Sequence, residues 1–377
     1  MIYLDHAATT PCRPDVAAAM RPYFTEIYGN PSSVHGVGQV ARQALDEARD
    51  QVARLIGAKA EEIFFTGSGT EADNLAIFGC FLQHRGKKNH LITTATEHHA
   101  VLHTAEWLRD LGAELTVLPV DGEGRVDPEA VRRAIRPETF LVSVMAANNE
   151  IGTLAPVTEI GAVCREAGVL FHTDAVQWAG ALPLDVRELN VDFVALTGHK
   201  FYGPKGIGVL YARRGARFRA TVQGGGQERG RRAGTENLAG AVGLAAALKL
   251  AVEELPETLP RITALRDRLI DAIEARIPNA LLNGPRKERL PNNVNFSFPG
   301  AESDLLVLNM DLEGVACSSG SACTAGAVEP SHVIKALGYP HDRLISALRL
   351  SLGRGTTEAE IDGAVDALDR IIRRIRY

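Results

Sequence analysis

The 377-residue sequence contains no hydrophobic stretch long enough to cross a membrane. No apolar run approaches the roughly 18 residues that a transmembrane helix needs without a glycine or a charge interrupting it. No signal peptide precedes the first residues, and neither an internal repeat nor a low-complexity segment is visible. We therefore expect a globular protein without a membrane span.

Cysteine is also scarce, and the chain has no excess of positive charge. Five cysteines in a chain of this length do not form a disulfide framework, so we expect a cytoplasmic protein with reduced thiols. The formal net charge is −5, whereas domains that bind nucleic acid usually carry a basic excess. Nucleic acid is therefore not expected as a direct partner.

The order of apolar patterns predicts an α/β protein with two domains, because 377 residues are too many for one ordinary core. Strand and helix patterns alternate through the first part of the chain, which predicts a mostly parallel sheet covered by helices, with ligands at the carboxyl ends of the strands. A helical pattern from Glu236 to Glu254 is followed by Pro256, where we place the domain boundary. Residues 14–255 would form the large domain, and the C-terminal part from 256 to 377 a small α+β domain.

Lys200 lies between two short apolar stretches of strand character, residues 191–196 and 206–211. Burial lowers the pKa of a lysine and leaves a reactive amine, which a Schiff base with a carbonyl cofactor requires. A solvated loop lysine is the alternative, since lysine is rarely buried. Asp174, at the end of another apolar stretch, favours the cofactor. Pyridoxal phosphate (PLP) needs both a lysine and a carboxylate that keeps its pyridine nitrogen protonated.

A glycine-rich turn, Gly67 to Asn74, follows a strand pattern and precedes a helical one. Such a turn presents backbone N–H groups and the positive end of a helix dipole to an anion. We interpret Gly69 and Thr70 as a cup for the cofactor phosphate. Turns of this kind also occur without a ligand, and the spacing is not that of a P-loop or a dinucleotide-binding motif.

Taken together, the motifs resemble one family. The segments HTDAVQ at 172–177 and TGHKFYGPKGIG at 197–208 are similar to those of the cysteine desulfurases, which are PLP-dependent transferases of fold type I in the class-V aminotransferase family. The other segments that resemble the family, in its order, are YLDHAATTP near the start, GSGTEADN at 67–74, TEHHAV at 96–101, NNEIG at 148–152, GGGQERGRRAGTEN at 224–237, CSSGSACT at 317–324 and RLSLGR at 349–354. The resemblance covers essentially the whole chain, and the long cysteine segment is typical of the NifS/IscS-like branch.

The resemblance implies roles around the PLP cofactor. His98 would stack on the pyridine ring, and Asp174 would pair with the pyridine nitrogen. Gln177 would donate to the phenolic oxygen, and Asn149 would lie near that oxygen and near the substrate carboxylate. The implied phosphate contacts are Gly69, Thr70, Thr197 and His199.

Structural alternatives to these roles remain open. His98 and His99 could be a capping and surface pair at the start of a helix. Asp174 could be a helix N-cap, Asn149 a turn residue and Gln177 a solvated side chain. The hydroxyl of Thr197, where many relatives have serine, is expected to be able to donate to the phosphate.

Residues 224–235 form the densest cluster of glycine and arginine in the chain. Composition alone predicts a flexible or polyanion-binding loop, although it has too few aromatic residues to stack bases. The resemblance implies instead that Thr235 reaches the phosphate of the neighbouring subunit, and hence a homodimer. It also implies that residues 1–13 pack with the C-terminal region as part of the small domain.

Arg349 lies inside a strand-like stretch, where a guanidinium needs a partner to be buried. A bidentate grip on the α-carboxylate of the substrate would provide that partner. A buried ion pair with a carboxylate of the protein is the alternative.

Cys317 and Cys323 are the two cysteines that the C-terminal part contributes. No second pair and no histidine at zinc spacing accompanies them, so no metal site is predicted. Cys323 sits among small residues that would let a thiol move, and the resemblance assigns it the persulfide-carrying nucleophile. It could also be a transient ligand of an iron–sulfur cluster. Cys317 is expected to be a small buried hydrophobe.

The predicted activity is that of a cysteine desulfurase, which takes sulfur from L-cysteine, releases L-alanine and holds the sulfur on Cys323. L-cysteine would displace Lys200 from PLP, and the freed amine of Lys200 would move the Cα proton as base and acid. The sulfur would pass to an acceptor protein, either an iron–sulfur scaffold or a tRNA-thiolation enzyme. A C–S lyase or selenocysteine lyase would share Lys200, Asp174 and Arg349. A non-catalytic sulfur carrier built on the same fold is a third reading.

Overall fold

The computed structural model describes residues 1–319 and 330–376. Within these ranges the strands are β1 (Ile2–Tyr3), β2 (Ile63–Thr66), β3 (His90–Thr94), β4 (Glu114–Leu118), β5 (Thr139–Ser143), β6 (Leu170–Asp174), β7 (Phe193–Thr197), β8 (Gly208–Ala212), β9 (Leu281–Leu282), β10 (Asn293–Ser297), β11 (Val315–Ala316) and β12 (Ala347–Ser351). The helices are α1 (Pro14–Met20), α2 (Pro22–Thr25), α3 (Gly36–Leu55), α4 (Gly69–His84), α5 (His99–Asp110), α6 (Pro128–Ala134), α7 (Val157–Ala167), α8 (Gln227–Gly230), α9 (Leu238–Arg276), α10 (Ser303–Leu312), α11 (His332–Ala336), α12 (His341–Leu344) and α13 (Glu358–Arg376).

A seven-stranded sheet in the order β2-β8-β7-β6-β5-β3-β4 forms the centre of the protein. The pairs from β7 through to β4 are all parallel. Strand β8 runs antiparallel to both of its neighbours, β2 and β7. The prediction of a mostly parallel sheet is confirmed, and the carboxyl ends of β2, β3, β5, β6 and β7 meet at one edge.

Alternate residues of the strands pack on opposite faces of this sheet, as the two-residue period of a strand requires. On one face, Phe65 and Val194 pack against helices α3, α7 and α9. On the other, their neighbours Phe64 and Phe193 pack against α4 and α5. Strands buried on both faces read as continuous apolar runs, which is the pattern seen on either side of Lys200.

Helix α9 is continuous over 39 residues and includes Pro256 and Pro260. The prediction that a helix ends at Pro256 is therefore wrong. Its N-terminal part packs into the core of the large sheet through Leu244 and Leu248, and its C-terminal part packs into a second core through Ile262 and neighbouring residues. Burial at both ends outweighs the local cost of proline, and the helix, about 58 Å long, connects the two cores.

The second core surrounds the antiparallel sheet β12-β10-β9 and helices α10 and α13. The N-terminal arm joins it, because β1 pairs in parallel with β11 and Leu4 is buried in the same core. The division of the chain at residue 256 stays a prediction. Among the described residues, no helix is both long enough and apolar enough to span a membrane.

The glycine- and arginine-rich segment, residues 224–235, is fastened to the large domain. Glu228 is buried and accepts two hydrogen bonds from the guanidinium of Arg49, at 2.7 and 2.8 Å, and one from the backbone of Phe65. Glu228 and Arg229 both adopt left-handed backbone conformations, with φ of 46° and 55°. Such a conformation is unfavourable for these residues, so the buried ion pair holds a strained turn in place.

Replacing Glu228 by Gln should destabilise the protein, because it leaves the guanidinium of Arg49 buried without a counter-ion. Removing one partner of a buried pair costs about 3 kcal/mol of unfolding free energy. Urea unfolding curves measure this cost. The control is Glu253→Gln, which removes an exposed carboxylate paired with Lys249 and should cost little. Equal losses in both variants would show that the buried pair has no special role.

Candidate active site

A cleft with about 1060 Å³ of open space lies at the carboxyl edge of the large sheet. It brings together ten residues singled out by sequence, which are Gly69, Thr70, His98, Asn149, Asp174, Gln177, Thr197, His199, Lys200 and Arg349. Thr235 is not among the described residues that line it, and it is exposed. Cys323 lies outside the described residues. Strand ends from distant parts of the chain thus form a single site.

Lys200 ends a short 3₁₀ turn, Gly198–Lys200, between β7 and β8. Its side chain is half-buried rather than buried. The ammonium donates to the backbone carbonyls of Ala7, at 2.5 Å, and Ala8, at 2.8 Å. The N-terminal arm therefore forms one wall of the cleft, and its carbonyl oxygens point at the amine.

Asp174 is buried at the carboxyl end of β6. One carboxyl oxygen accepts from the backbone N–H of Val176, at 2.9 Å, and the residues that follow form turns rather than a helix. The helix N-cap alternative is therefore excluded. Burial raises the pKa of Asp174, and the nearby His98 and Lys200 oppose that shift. A cationic N–H donor in the cleft would stabilise this carboxylate.

His98 caps helix α5, because its Nδ1 accepts from the backbone N–H of Ala100 at 3.1 Å. The same side chain lines the cleft. His98 thus caps the helix, as the structural alternative predicted, and it also lies in the cleft, as the stacking role requires. Burial lowers the pKa of His98, so a neutral ring with its proton on Nε2 is the form that fits this contact.

Two adjacent asparagines in the turn after β5 have different contacts. The side-chain oxygen of Asn148 accepts from the backbone N–H groups of Glu150 and Ile151, at 2.9 and 3.0 Å, so Asn148 orders the turn. Asn149 is left to line the cleft. The turn-forming alternative proposed for Asn149 therefore belongs to its neighbour.

Three predicted cofactor contacts have partners within the protein. The amide of Gln177 donates to the carbonyl of Ala7 at 2.9 Å, so it is not a solvated side chain. The hydroxyl of Thr197 donates to the carbonyl of Ile207 at 3.0 Å. In this arrangement the Thr197 hydrogen points away from the cleft, which differs from the donation to phosphate that was expected. His199 contacts the hydroxyl of Thr9 at 3.1 Å.

Arg349 is 2 % exposed and forms the buried ion pair that was the alternative to a substrate grip. One terminal nitrogen donates to the carboxylate of Asp5 at 2.8 Å, and the other donates to the carbonyl of Asn149 at 3.0 Å. No local pattern predicts the pairing of Asp5 with a residue so far along the chain. A substrate carboxylate would share the guanidinium with Asp5.

Two buried carboxyl groups, Glu97 and Asp73, lie close to Asp174 and were not predicted. Glu97 accepts from the Thr94 hydroxyl and the Met145 backbone, both at 2.8 Å. Burial and the charge of Asp174 raise its pKa to about 8. Burial also raises the pKa of Asp73 well above its usual value. Both residues stand in motifs quoted above. The available signals were the position of Glu97 just after strand β3 and the position of Asp73 beside apolar residues of helix α4.

His172 lies on β6, two residues before Asp174, and is buried. Its Nε2 is 3.4 Å from a carboxyl oxygen of Asp73, and its Nδ1 is 2.8 Å from the hydroxyl of Ser143. Burial lowers the pKa of His172 to about 3, so the ring is neutral. The neutral ring therefore bridges Asp73 and Ser143 without adding a charge to this buried group.

The contact between the imidazoles of His99 and His332 at the rim of the cleft was also not predicted. His332 donates through Nε2 to the carbonyl of Glu97 at 2.9 Å, so its Nδ1 must accept from Nε2 of His99, at 3.1 Å. The ring of His103 stacks on His99 with a centroid distance of 4.6 Å. Burial lowers the pKa of His99 to about 4, so the ring of His99 is neutral at physiological pH.

The sequence profile of the class-V aminotransferase family matches residues 2–363. The cysteine desulfurase IscS of Clostridium botulinum (strain Hall) is 49% identical over 377 residues, which cover all of this chain and 95% of the relative. That of Dictyoglomus turgidum is 48% identical over 375 residues, with the same coverage. The chain belongs to the class-V aminotransferase family, among its cysteine desulfurases. A solved NifS-like protein superposes with a TM-score of 0.93 at 36% identity and covers 99% of both chains.

Membership of this family confirms the predicted family, the type I fold, the enzyme class and PLP as the cofactor of this cysteine desulfurase. The cleft fits that group. A β-carbon at Gly69 would lie 2.8 Å from a methyl carbon of Val176, so only glycine allows the backbone of the cup to approach so closely. The buried Asp174 provides the carboxylate that a pyridinium N–H requires.

Glu97→Gln should remove a pH dependence of stability. The folded state keeps a proton on Glu97 up to a pH of about 8, whereas the unfolded chain releases it near its ordinary pKa, so stability falls as pH rises between these values. The loss is at most about 1.4 kcal/mol per pH unit. Gln keeps the side-chain acceptor but cannot ionise.

Denaturant unfolding of the PLP-free protein from about pH 5 to pH 8 measures this slope without a contribution from cofactor binding. Stability of the wild type should fall more steeply with pH than that of the variant. Glu106→Gln, which changes an exposed carboxylate on α5, should keep the wild-type slope. If Glu97→Gln also keeps it, Glu97 is ionised in the folded protein.

Proposed function

We propose that the chain takes sulfur from L-cysteine, releases L-alanine and holds the sulfur as a persulfide on Cys323. The observation that carries this proposal is the convergence of Lys200, Asp174, His98 and Arg349 on one cleft. An amine, a buried carboxylate, a flat neutral ring and a buried guanidinium are the groups that PLP and an amino-acid substrate need.

The proposed cofactor contacts divide between the two ends of the cleft. The N-terminus of α4, with the backbone N–H groups of Gly69 and Thr70, and the ring of His199 would hold the phosphate. Asp174 would hold the protonated pyridine nitrogen, and His98 would cover the ring. When bound, PLP withdraws electrons from the Cα of the amino acid attached to it.

Lys200 and Arg349 act on the substrate in this proposal. Arg349 and Asn149 would bind its α-carboxylate and so orient the Cα–H bond. The amine of Lys200 would remove the Cα proton and later return a proton as the acid. Its two carbonyl partners on the arm, Ala7 and Ala8, keep the amine inside the cleft.

Cys323 would accept the sulfur. Its thiolate attacks the sulfur of the substrate, a sulfur–sulfur bond forms, and the carbon–sulfur bond breaks with its electron pair left on carbon, which takes up protons to give alanine. Cys317 is unsuited to this step. It packs against the core of the small domain, and burial raises the pKa of its thiol to about 12.

Cys323→Ser should bind PLP and L-cysteine but form no alanine, because an alcohol has almost no anion at neutral pH and attacks sulfur poorly. Cys317→Ser should lose some stability and keep most of its turnover. The assay is alanine formed per enzyme, with the persulfide mapped by mass spectrometry. Alanine at the parent rate from Cys323→Ser but not from Cys317→Ser would mean that the nucleophile is misassigned. Alanine from both variants would favour a lyase.

The acceptor in this proposal is a protein that takes up persulfide sulfur, either an iron–sulfur scaffold or a tRNA-thiolation enzyme. The relatives named IscS support that class of partner. We place the enzyme in the cytoplasm, where its described cysteines would stay reduced.

We also propose a homodimer in which Thr235 completes the site of the partner. Thr235 is exposed and does not line its own cleft, while the segment that carries it is rigidly fastened through Glu228. Large apolar side chains are exposed in one stretch of the chain, at Phe24, Tyr28, Val34, Val37 and Val40. We propose that a second copy covers them, because exposed apolar surface is typical of subunit interfaces.

Mixed dimers test this arrangement. A dimer of one Lys200→Ala chain and one Thr235→Ala chain should contain one intact site if Thr235 acts across the interface. Doubly tagged heterodimers should then show about half of the wild-type activity, whereas Lys200→Ala homodimers show none. Heterodimers no better than the mean of the two homodimers would assign Thr235 to the site of its own subunit.

A further inference from the structure

Glu71 places a negative charge beside the proposed phosphate cup. It lies in the first turn of α4, directly after Gly69 and Thr70. One of its carboxyl oxygens accepts from the backbone N–H of Gly67 at 2.8 Å, and so holds the glycine-rich turn in shape. A carboxylate suits the N-terminus of a helix, but it repels a phosphate bound at the same place.

Arg232 neutralises that carboxylate. Its Nε donates to one oxygen of Glu71 at 2.7 Å, and its Nη2 donates to the other at 3.2 Å. The two side chains are 25% and 23% exposed. Arg232 belongs to residues 224–235, the segment that Glu228 fastens to the large sheet. The anchored turn therefore holds the guanidinium of Arg232 next to Glu71.

We propose that Arg232 is a positioning residue for the cofactor phosphate. It acts through Glu71, because it cancels the charge of the carboxylate that shapes the cup. Glu71 can then hold the glycine-rich turn in shape, and the cup can still bind the phosphate dianion. This inference rests on the proposed PLP site and assigns to the Arg232–Glu71 pair the selectivity of the cup for a phosphorylated cofactor.

The Arg232–Glu71 pair predicts an effect specific to phosphate. Without Arg232, the carboxylate of Glu71 keeps an uncompensated negative charge in the same helical turn as Gly69 and Thr70, and it repels a phosphate bound there. PLP affinity of Arg232→Ala should fall about tenfold to a hundredfold. Affinity for pyridoxal, which lacks the phosphate, should change little. The PLP deficit should shrink as salt is added, because salt screens partly exposed charges.

A rescue experiment separates this role from a merely structural one. In Arg232→Ala/Glu71→Gln the repelling charge is gone, so PLP affinity should recover to within about threefold of the wild type. Glu71→Gln alone should bind PLP at least as tightly as the wild type. The matched control is Arg231→Ala. Arg231 lies in the same segment as Arg232 but stacks on Phe218, whereas Arg232 pairs with Glu71. Loss of the Arg231 side chain should therefore leave the ratio of PLP affinity to pyridoxal affinity unchanged.

The measurement is the dissociation constant of PLP and of pyridoxal for each full-length variant, by absorbance titration of protein freed of cofactor. Equal weakening of PLP and pyridoxal in Arg232→Ala, or no recovery in the double variant, would overturn the proposal. Should Arg232→Ala not fold, weaker PLP binding by Glu71→Gln alone would overturn it as well. A wild-type protein that does not bind PLP at Lys200 would instead refute the proposed function.

Discussion

One stretch of N-terminal chain satisfies the charged groups of both halves of the protein. The carbonyls of Ala7 and Ala8 accept from the ammonium of Lys200 on the large sheet, and the carboxylate of Asp5 pairs with the guanidinium of Arg349 on β12. Cationic groups in a cleft are costly without such partners. The arm thereby connects the edge of the large sheet with β12, across the cleft.

The cleft concentrates acids behind this cationic side. Asp73, Glu97 and Asp174 are all buried, and burial raises the pKa of each. Three carboxyl groups so close together cannot all ionise in a dry site. Burial keeps the ring of His172 neutral, so it adds no compensating charge. A single positive N–H group at Asp174 would stabilise one carboxylate while its neighbours keep their protons, so the cleft is suited to one pyridinium.

The sequence predicted the large sheet and most of the cleft because both follow from local patterns. Apolar runs locate parallel strands, and polar residues such as Asp174 after those runs meet at the carboxyl edge. Contacts between distant segments leave no such trace. The pairing of Asp5 with Arg349, and the passage of α9 through Pro256, depend on tertiary packing that overrides local preference. The hydroxyl direction of Thr197 likewise depends on Ile207, across the turn.

The same arm bears on how the two C-terminal cysteines differ. Strand β11 pairs with β1 of the arm, so Cys317 follows a strand held on one side by the N-terminus. The next residue, Ser318, exchanges two backbone hydrogen bonds with Arg349, at 3.2 and 2.7 Å. Cys317 thus lies between Ala316 and Ser318, whose backbones are both held by hydrogen bonds. Its thiol could move towards a substrate only if these hydrogen bonds broke. The first described range of the chain ends at residue 319, beside the proposed carboxylate grip, and these contacts are the structural reason why we do not propose Cys317 as the nucleophile.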